Sequence, residues 1–595
     1  MTANEKLALL RVQMKQAGIQ VYYIPSSDPH MSEYLPDHWR SRAWLSGFSG
    51  SAGVMVVTET ESALWTDGRY FIQAARQLEG SEIVLQRMKE PGVPTVTEYL
   101  TARLSAGDVL GLDGMITSAA FVGELEKAFE GKEVAIRTVD LISPIWTEDR
   151  PPMPATEAFV HPLEYTGLSA AEKLAELRKN LAKENADSIL LTRLDSIVWL
   201  LNIRASDISY TPALLSFCLV TPERTVLYTN EERLTPQVRE HLAANGVSIA
   251  PYARVLPEVE ALREPLRMLC SQEDLSYSLY AAMVANECIT VVEGAEPVQP
   301  MKACKNDTEV ACLKNAHIKE GVAMVRMEME LERRLADGEK LTECDVHDIL
   351  NRYRQPLPLF LGESFSCISA YGANAAMMHY SPSPDHCAVI ERSGLLLLDT
   401  GSQFLDGTTD TTRTYQMGPL TDEIRRYYTY VLKANIALAR GVFMKGCSGA
   451  NLDILARSQV WQYGIDYRCG TGHGVGYLGG VHEGPHSMRM TNTYPLEPGM
   501  IVTDEPGIYE EGLVGIRIEN ELLVVPACST EYGEFYRFEA VTRCPIDTRP
   551  IVRELMTFEE LDWLNTFHET VYQDLKEHLN PEEQAWMRQK TLPIA

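Results

Sequence analysis

No cysteine precedes Cys218, and no two cysteines in the chain have the C-x-x-C spacing. That excludes a small disulfide framework and a zinc ribbon. The twelve cysteines that follow are expected to be mostly buried, reduced thiols of a cytoplasmic protein. Basic residues are also scarce. Against 82 Asp and Glu there are 54 Lys and Arg, a formal net charge of −28. Such a surface repels phosphate and excludes nucleic acid as the main partner. It suits cationic ligands, among them the ammonium of a peptide N-terminus. Long apolar runs are missing as well. The most apolar window, SILLTRLDSIVWLLNI, is interrupted by Arg193 and Asp195, so no membrane span or membrane partner is expected. The N-terminal MTANEKLALLRVQMKQAGIQ carries Glu5, Lys6, Arg11 and Lys15 and reads as an amphipathic helix, not a secretory leader.

What is present is enough apolar residue, 45 % of 595, to build several cores. Residues 6 to 17 have a helix pattern. VYYIP, GVMVVTE and SALWT read as strands, with Asp67-Gly68 as the turn of a strand pair. A Pro-rich polar stretch, PIWTEDRPPMPATE, makes a linker. The same order of elements then begins again. SAAEKLAELRKNLAKENAD is a helix with a Ser N-cap, followed by SILLTR, the apolar SIVWLLNI, ALLSFCLVT and RTVLYT. Two copies of one α/β module are expected, over 1–155 and 156–302. From 303 the texture changes. A long helix pattern ends at Gly338, and a second helix follows with Thr342 as its N-cap. Strands and glycine-rich turns then carry nearly all the residues able to do chemistry, so 303–595 is expected to be the catalytic domain.

The centre of that region is LLLLDTGSQFLDGTTDTTRTY. Its apolar run stops at Asp399, Asp406-Gly407 is a turn dipeptide, and Asp410 opens the return strand. An antiparallel hairpin would set Asp399 across from Asp410, with Asp410, Thr412 and Thr414 on one face. Further segments place acids or imidazoles beside strands otherwise built for a core. GTGHGVGYLGGVHEGPH holds His473 and His482, GMIVTDEPGIYEEG holds Glu505, and GIRIENELLVV holds Arg517 and Glu519 on one face. Two facing carboxylates make either a metal site or an acid–base pair.

The set Asp399, Asp410, His473, Glu505, Glu519 resembles the five-ligand dinuclear site of the methionine aminopeptidase, prolidase and aminopeptidase P superfamily, metallopeptidase family M24, with its pita-bread fold. The spacing of the two Asp, GHG around His473, DEPGxY around Glu505 and RIEN around Glu519 all carry the likeness. GFSGSAG…WTDGRYF, GTTDTTRT, VHEGP and the repeated N-terminal module look like the long, three-domain, cytosolic Xaa-Pro aminopeptidase type. The likeness implies a fold of two similar creatinase-like α/β domains followed by a pita-bread catalytic domain, with the tail FEELDWLNTFHETV…QAWMRQKTLPIA as closing helices. It implies that Asp399 chelates one metal, that His473 and Glu505 bind the other, and that Asp410 and Glu519 bridge them. The four carboxylates of that set need cations, and mostly oxygen donors with one imidazole suit Mn²⁺, while Zn²⁺, Co²⁺ and Fe²⁺ could also bind. Two such ions ~3.5–4 Å apart can share a hydroxide and polarise a carbonyl. Glu505 would also carry the proton, Arg517 would orient the bridging carboxylates, His379 and His482 would hydrogen-bond substrate and oxyanion, and Tyr509 would support them. The chain departs from the family at Ala373, where Pro is common, and in the glycines of GYLGGVHE.

The implied function is hydrolysis of the bond between an N-terminal residue and a penultimate proline, by a cytoplasmic homodimer. The alternatives are a prolidase-type X-Pro dipeptidase and a non-catalytic peptide-binding relative. Retention of all five ligands speaks against the latter. GVGYLG fits G-x-G-x-x-G, but no helix pattern follows, so a dinucleotide site is not expected. His386 and His486 are expected at the surface, His317 in a structural role, and FSGSAG, which lacks Lys, as a turn before a strand.

Overall fold

The computed structural model describes residues 1–594, which fall into two compact units. The first comprises Met1–His161 and Leu168–Val298, the second Pro162–Gly167 and Gln299–Ala595. Among the described residues no helix is long and apolar enough to cross a membrane.

The first unit holds two six-stranded mixed sheets. In one the order is Ile83–Arg87, Ser62–Thr66, Val54–Thr58, Val21–Pro25, Val109–Leu112, Ala135–Thr138. In the other it is Val247–Pro251, Thr225–Thr229, Phe217–Val220, Ser188–Leu191, Leu266–Cys270, Ile289–Glu293. Each has the same sequence of parallel and antiparallel neighbours. The duplicated module is therefore present strand for strand. Apolar residues on both faces make Val21–Pro25 and Ser188–Leu191 buried central strands. Ser169 caps its helix, Ala170–Lys183, in a reciprocal box with Glu172.

Two local expectations need correction, and one apolar segment left unassigned gains its element. The strands Val54–Thr58 and Ser62–Thr66 are joined through residues 59–61, whereas Asp67 follows the second strand and folds back to bind Arg69. The segment SIVWLL is helix, Leu194–Leu200, because its apolar residues are buried all round. Of the twelve cysteines, all free, only four are buried: Cys218, Cys270, Cys367 and Cys544. The others sit at partly covered positions, apart from Cys528, which is exposed.

The second unit is α+β and has the pita-bread arrangement of strands with helices packed around them. Its spine is the helix Asp307–Ala336, capped by Asn306 with Glu309 and ended before Gly338. Thr342 caps the next helix, Glu343–Arg354. A three-stranded sheet runs Ile368–Tyr371, Leu395–Thr400, Thr411–Gln416, and a four-stranded sheet runs Val442–Met444, Gly533–Ala540, Asn520–Thr530, Ile501–Asp504. The tail forms Phe558–Leu575 and Pro581–Lys590, whose Leu564, Val571, Leu575 and Met587 enter a core shared with Ile516, Ile518 and Val431.

Gly321 lies mid-helix, where Ala is ordinarily better by ~1 kcal/mol. Here a Cβ would sit 1.9 Å from the Arg543 carbonyl oxygen. Gly321→Ala is therefore expected to lower the thermal unfolding temperature of the second unit. A rise in a calorimetric scan would contradict this packing.

Candidate metal centre

The hydrogen-bond ladder sets the geometry of the two aspartates. Leu395–Thr400 pairs with Thr411–Gln416 so that Asp399 faces Thr412, not Asp410. Asp410 stands one residue before the strand, on the face of Asp399 and Thr412 but diagonal to Asp399. The direct opposition expected from sequence is thus wrong by two residues. Its consequence survives, since both carboxylates lie on one side of the sheet and are buried.

The remaining acids come from strand ends. Glu505 follows the strand Ile501–Asp504, and its N–H donates to Thr471 O at 2.8 Å. Glu519 lies between Val514–Arg517 and Asn520–Thr530, and its N–H donates to Thr412 O at 3.1 Å. Strand alternation around this break sends Ile516 and Ile518 into the core. Arg517 and Glu519 share the other face.

His473 joins these acids. Its Nδ1 is 3.0 Å from Gly474 O, which fixes the proton there and leaves Nε2 as an acceptor. Nε2 is 3.4 Å from Glu505 Oε1 and 3.6 Å from Asp410 Oδ2. Asp410, His473 and Glu519 each offer a ligand atom within 4.8 Å of the others. Lone pairs facing one another at this spacing fit a cation between them. Asp399 Oδ1 adds a buried oxygen that accepts no hydrogen bond. The donor set and its orphaned oxygen therefore fit hard or borderline divalent ions.

Electrostatics agree. Burial, then the charges of Glu519, Asp399 and Glu505, raises the Asp410 carboxyl well above its usual range. Burial, then Asp399 and Glu505, does the same to Glu519. Glu505 is pushed up to about 7, chiefly by burial, with Arg517 opposing.

Arg517 is the guanidinium in direct contact with the cluster. It donates to Asp399 Oδ2, to Thr412 Oγ1 at 3.1 Å and to Tyr509 Oη at 2.7 Å. Thr412 passes the link on, donating to Glu519 Oε2 at 2.7 Å. Arg517 thus holds Asp399 directly and Glu519 through a threonine. Tyr509 reaches the site through Arg517. The His482 ring lies edge-on to His473, centroids 4.2 Å apart. His379 is half-buried in the turn after Gly372–Ala376, and its neighbour Tyr380 donates to the buried Glu343 at 2.8 Å.

Several residues beside the cluster escaped the sequence reading. Glu521 Oε1 accepts from the Asp410 N–H at 2.7 Å, and its Oε2 is 3.2 Å from His317 Nε2. His317 therefore has a definite task on the long helix. Asp504 is fully buried with neither oxygen hydrogen-bonded, and burial holds its carboxyl well above the usual range. Both acids were visible as charges inside apolar strands. Asp406 does more than turn the chain, accepting from Lys319 and, at 2.8 Å, from Asn315. His486, expected at the surface, is buried with Nε2 2.7 Å from Ile501 O, because its loop folds back on that strand. His386 is exposed as expected.

Known families match four successive stretches of the chain. A Creatinase/Prolidase N-terminal domain is matched over residues 6–143 and again over 149–309. Metallopeptidase family M24 is matched over 311–526, and the C-terminal region of that peptidase over 534–594. A probable Xaa-Pro aminopeptidase P of Sordaria macrospora is 39 % identical over 100 % of both chains. One from Talaromyces marneffei is 38 % identical over 99 % of this chain and 92 % of its own. The crystal structure of an X-prolyl aminopeptidase from Caenorhabditis elegans, described as a cytosolic enzyme with a di-nuclear active site, superposes with a TM-score of 0.94 at 34 % identity, covering 100 % of both chains. An Xaa-Pro dipeptidase from Bacillus anthracis, 26 % identical with a TM-score of 0.50, covers 64 % of this chain and 99 % of its own.

A carboxyl whose pKa is raised on folding holds its proton more tightly in the folded chain. Its contribution favours folding at low pH and is lost as pH climbs from the ordinary value of 4.5 through about 7 for Glu505. Bound cations remove that loss. The gap in unfolding temperature between metal-loaded and metal-stripped protein is therefore expected to widen as pH rises across this window. A gap that is constant or narrows would contradict the cluster's electrostatics.

Proposed function

Because the chain belongs to the Xaa-Pro aminopeptidase P group of metallopeptidase family M24, we propose that it removes the first residue of peptides whose second residue is proline. The observation that carries the site assignment is the arrangement at His473, whose Nε2 faces Glu505 and Asp410 with its other nitrogen committed to a carbonyl.

Asp399 would hold one divalent ion, His473 and Glu505 a second, and Asp410 and Glu519 both. When bound, such a pair lowers the pKa of water and polarises a carbonyl. Mn²⁺ is the proposed ion, on the excess of carboxylate oxygen over nitrogen. The chain's own groups do the rest. Glu505 takes the proton from the attacking water and delivers it to the proline nitrogen as the C–N bond breaks. That delivery matters because the proline amide nitrogen carries no hydrogen of its own. His482 and His379 donate hydrogen bonds to the carbonyl oxygen as it gains negative charge. Arg517 keeps Asp399 and, through Thr412, Glu519 in place, and Tyr509 steadies Arg517.

The proposal includes a cytoplasmic location, in keeping with twelve free cysteines, and a homodimer, carried over from the family resemblance. The prolidase reading remains as the second. A dipeptidase needs a cation for the substrate's carboxylate next to proline. Arg517 is already committed to Asp399, Thr412 and Tyr509. The matched dipeptidase also leaves more than a third of this chain uncovered.

The test is a set of initial rates on X-Pro, X-Pro-Y, X-Pro-Y-Z and X-Ala-Y peptides at one metal concentration. X-Pro-Y should be cleaved faster than X-Pro, and X-Ala-Y barely. Preference for the bare dipeptide would select the prolidase reading. Equal rates on X-Ala-Y would remove the proline specificity. His379→Ala is expected to lose ~10²–10³ in kcat while keeping its metals. A wild-type kcat would contradict its role.

A further inference from the structure

Two lysines and a glutamate lie buried together beside the turn that carries His482, and the chemistry above uses none of them. Lys302 Nζ is 2.8 Å from Glu483 Oε2, and Lys305 Nζ is 3.3 Å from Glu483 Oε1. Their side chains are 1 %, 0 % and 5 % exposed. Lys305 Nζ also donates to Val475 O at 2.6 Å. Two ammoniums around one carboxylate are costly to bury, and a buried ion pair is often no more stabilising than apolar residues of the same volume. The cluster therefore calls for a role other than stability.

Its position supplies one. The loop is closed around Glu483 by its own backbone, with the Glu483 N–H donating to Gly474 O at 2.7 Å and the Gly476 N–H to Gly480 O at 3.0 Å. A Cβ at Gly474 would lie 2.0 Å from Glu483 O, and one at Gly476 would lie 2.8 Å from Glu483 Oε2. Gly474 and Gly476 thus leave the space into which Glu483 fits, which accounts for two glycines of a pattern that resembles a dinucleotide loop without being one. Buried His486 pins the far end of the loop to Ile501 O. Between these anchors stands His482, one peptide bond from Glu483, its ring edge-on to His473.

We propose that Glu483, clamped by Lys302 and Lys305, is a positioning residue that sets the His482 ring against His473 and the substrate carbonyl. The lysines act through Glu483, and Glu483 acts through His482. This rests on the reading of His482 as a hydrogen-bond donor to the substrate.

The first test is structural and independent of activity. A crystal structure of full-length, metal-loaded Glu483→Gln should show the His482 ring displaced from its edge-on contact with His473. An unmoved ring would overturn the proposal. The second is a kinetic cycle on whichever peptide the wild type cleaves best. Glu483→Gln should lose roughly ten- to a hundredfold in kcat, the scale of a misplaced catalytic group, with metal content equal to the wild type's. Added to His482→Ala, it should cost less than about twofold more, because contacting residues that act in series are non-additive. Fully multiplicative losses would overturn it. Lys302→Met keeps a one-to-one Lys305–Glu483 pair and serves where Glu483→Gln folds poorly. It should show a smaller loss and the same non-additivity with His482→Ala. Failure of the wild type on X-Pro-Y peptides would count against the proposed function, while the crystal structure would still decide the clamp.

Discussion

Four carboxylates, from the buried Asp399, Asp410 and Glu519 and the half-buried Glu505, are brought into one place with the Arg517 guanidinium in direct contact with Asp399. Each is costly to bury charged, and each makes the next more costly. Arg517 offsets part of this. The fold around the cluster can be understood as what keeps such a repulsive group together. The acids sit at strand ends, where hydrogen bonds of the sheet fix the backbone on either side and leave the carboxylates free to converge. In the proposed reading, two divalent ions complete the balance and provide the reaction's electrophile.

The supports around the cluster follow from that constraint. Thr412 and Thr503 are short side chains within strands, and each links a cluster member to a neighbour: Thr412 joins Arg517 to Glu519, and Thr503 joins the His473 N–H to Glu505. Glu521 holds the Asp410 backbone and is itself met by His317 from the long helix. That helix in turn packs on the tail helices and on the Arg543 segment, so closely that Gly321 has no room for a methyl group. The spine of the unit and its site are thus packed together, meeting at the buried His317–Glu521 contact.

Much of this was legible in the sequence, and for physical reasons. Period-two alternation marked the strands, and the N-caps Ser169 and Thr342 marked helix starts. The repeated module was visible as a repeated order of elements and is matched by two sheets of identical topology. The ligand-type residues stood out because a carboxylate at the end of an apolar strand is expensive without a purpose. Register was harder. Asp399 faces Thr412 because pairing through Thr400 and Thr411 sets the ladder, and nothing local announces that choice. Long-range partners were harder still. Glu521 beside His317, and Glu483 between Lys302 and Lys305, join residues far apart in sequence. The helical state of SIVWLL and the burial of His486 likewise depend on what packs against them.

The central claim is that these carboxylates are gathered to hold two cations. Anomalous diffraction from crystals of the full chain grown with Mn²⁺, recorded on either side of the manganese edge, tests it most directly. The account predicts two peaks per chain, about 3.5–4 Å apart, one beside Asp399, the other beside His473 and Glu505, and both touching Asp410 and Glu519. A single peak, or peaks away from these five side chains under saturating metal, would contradict it.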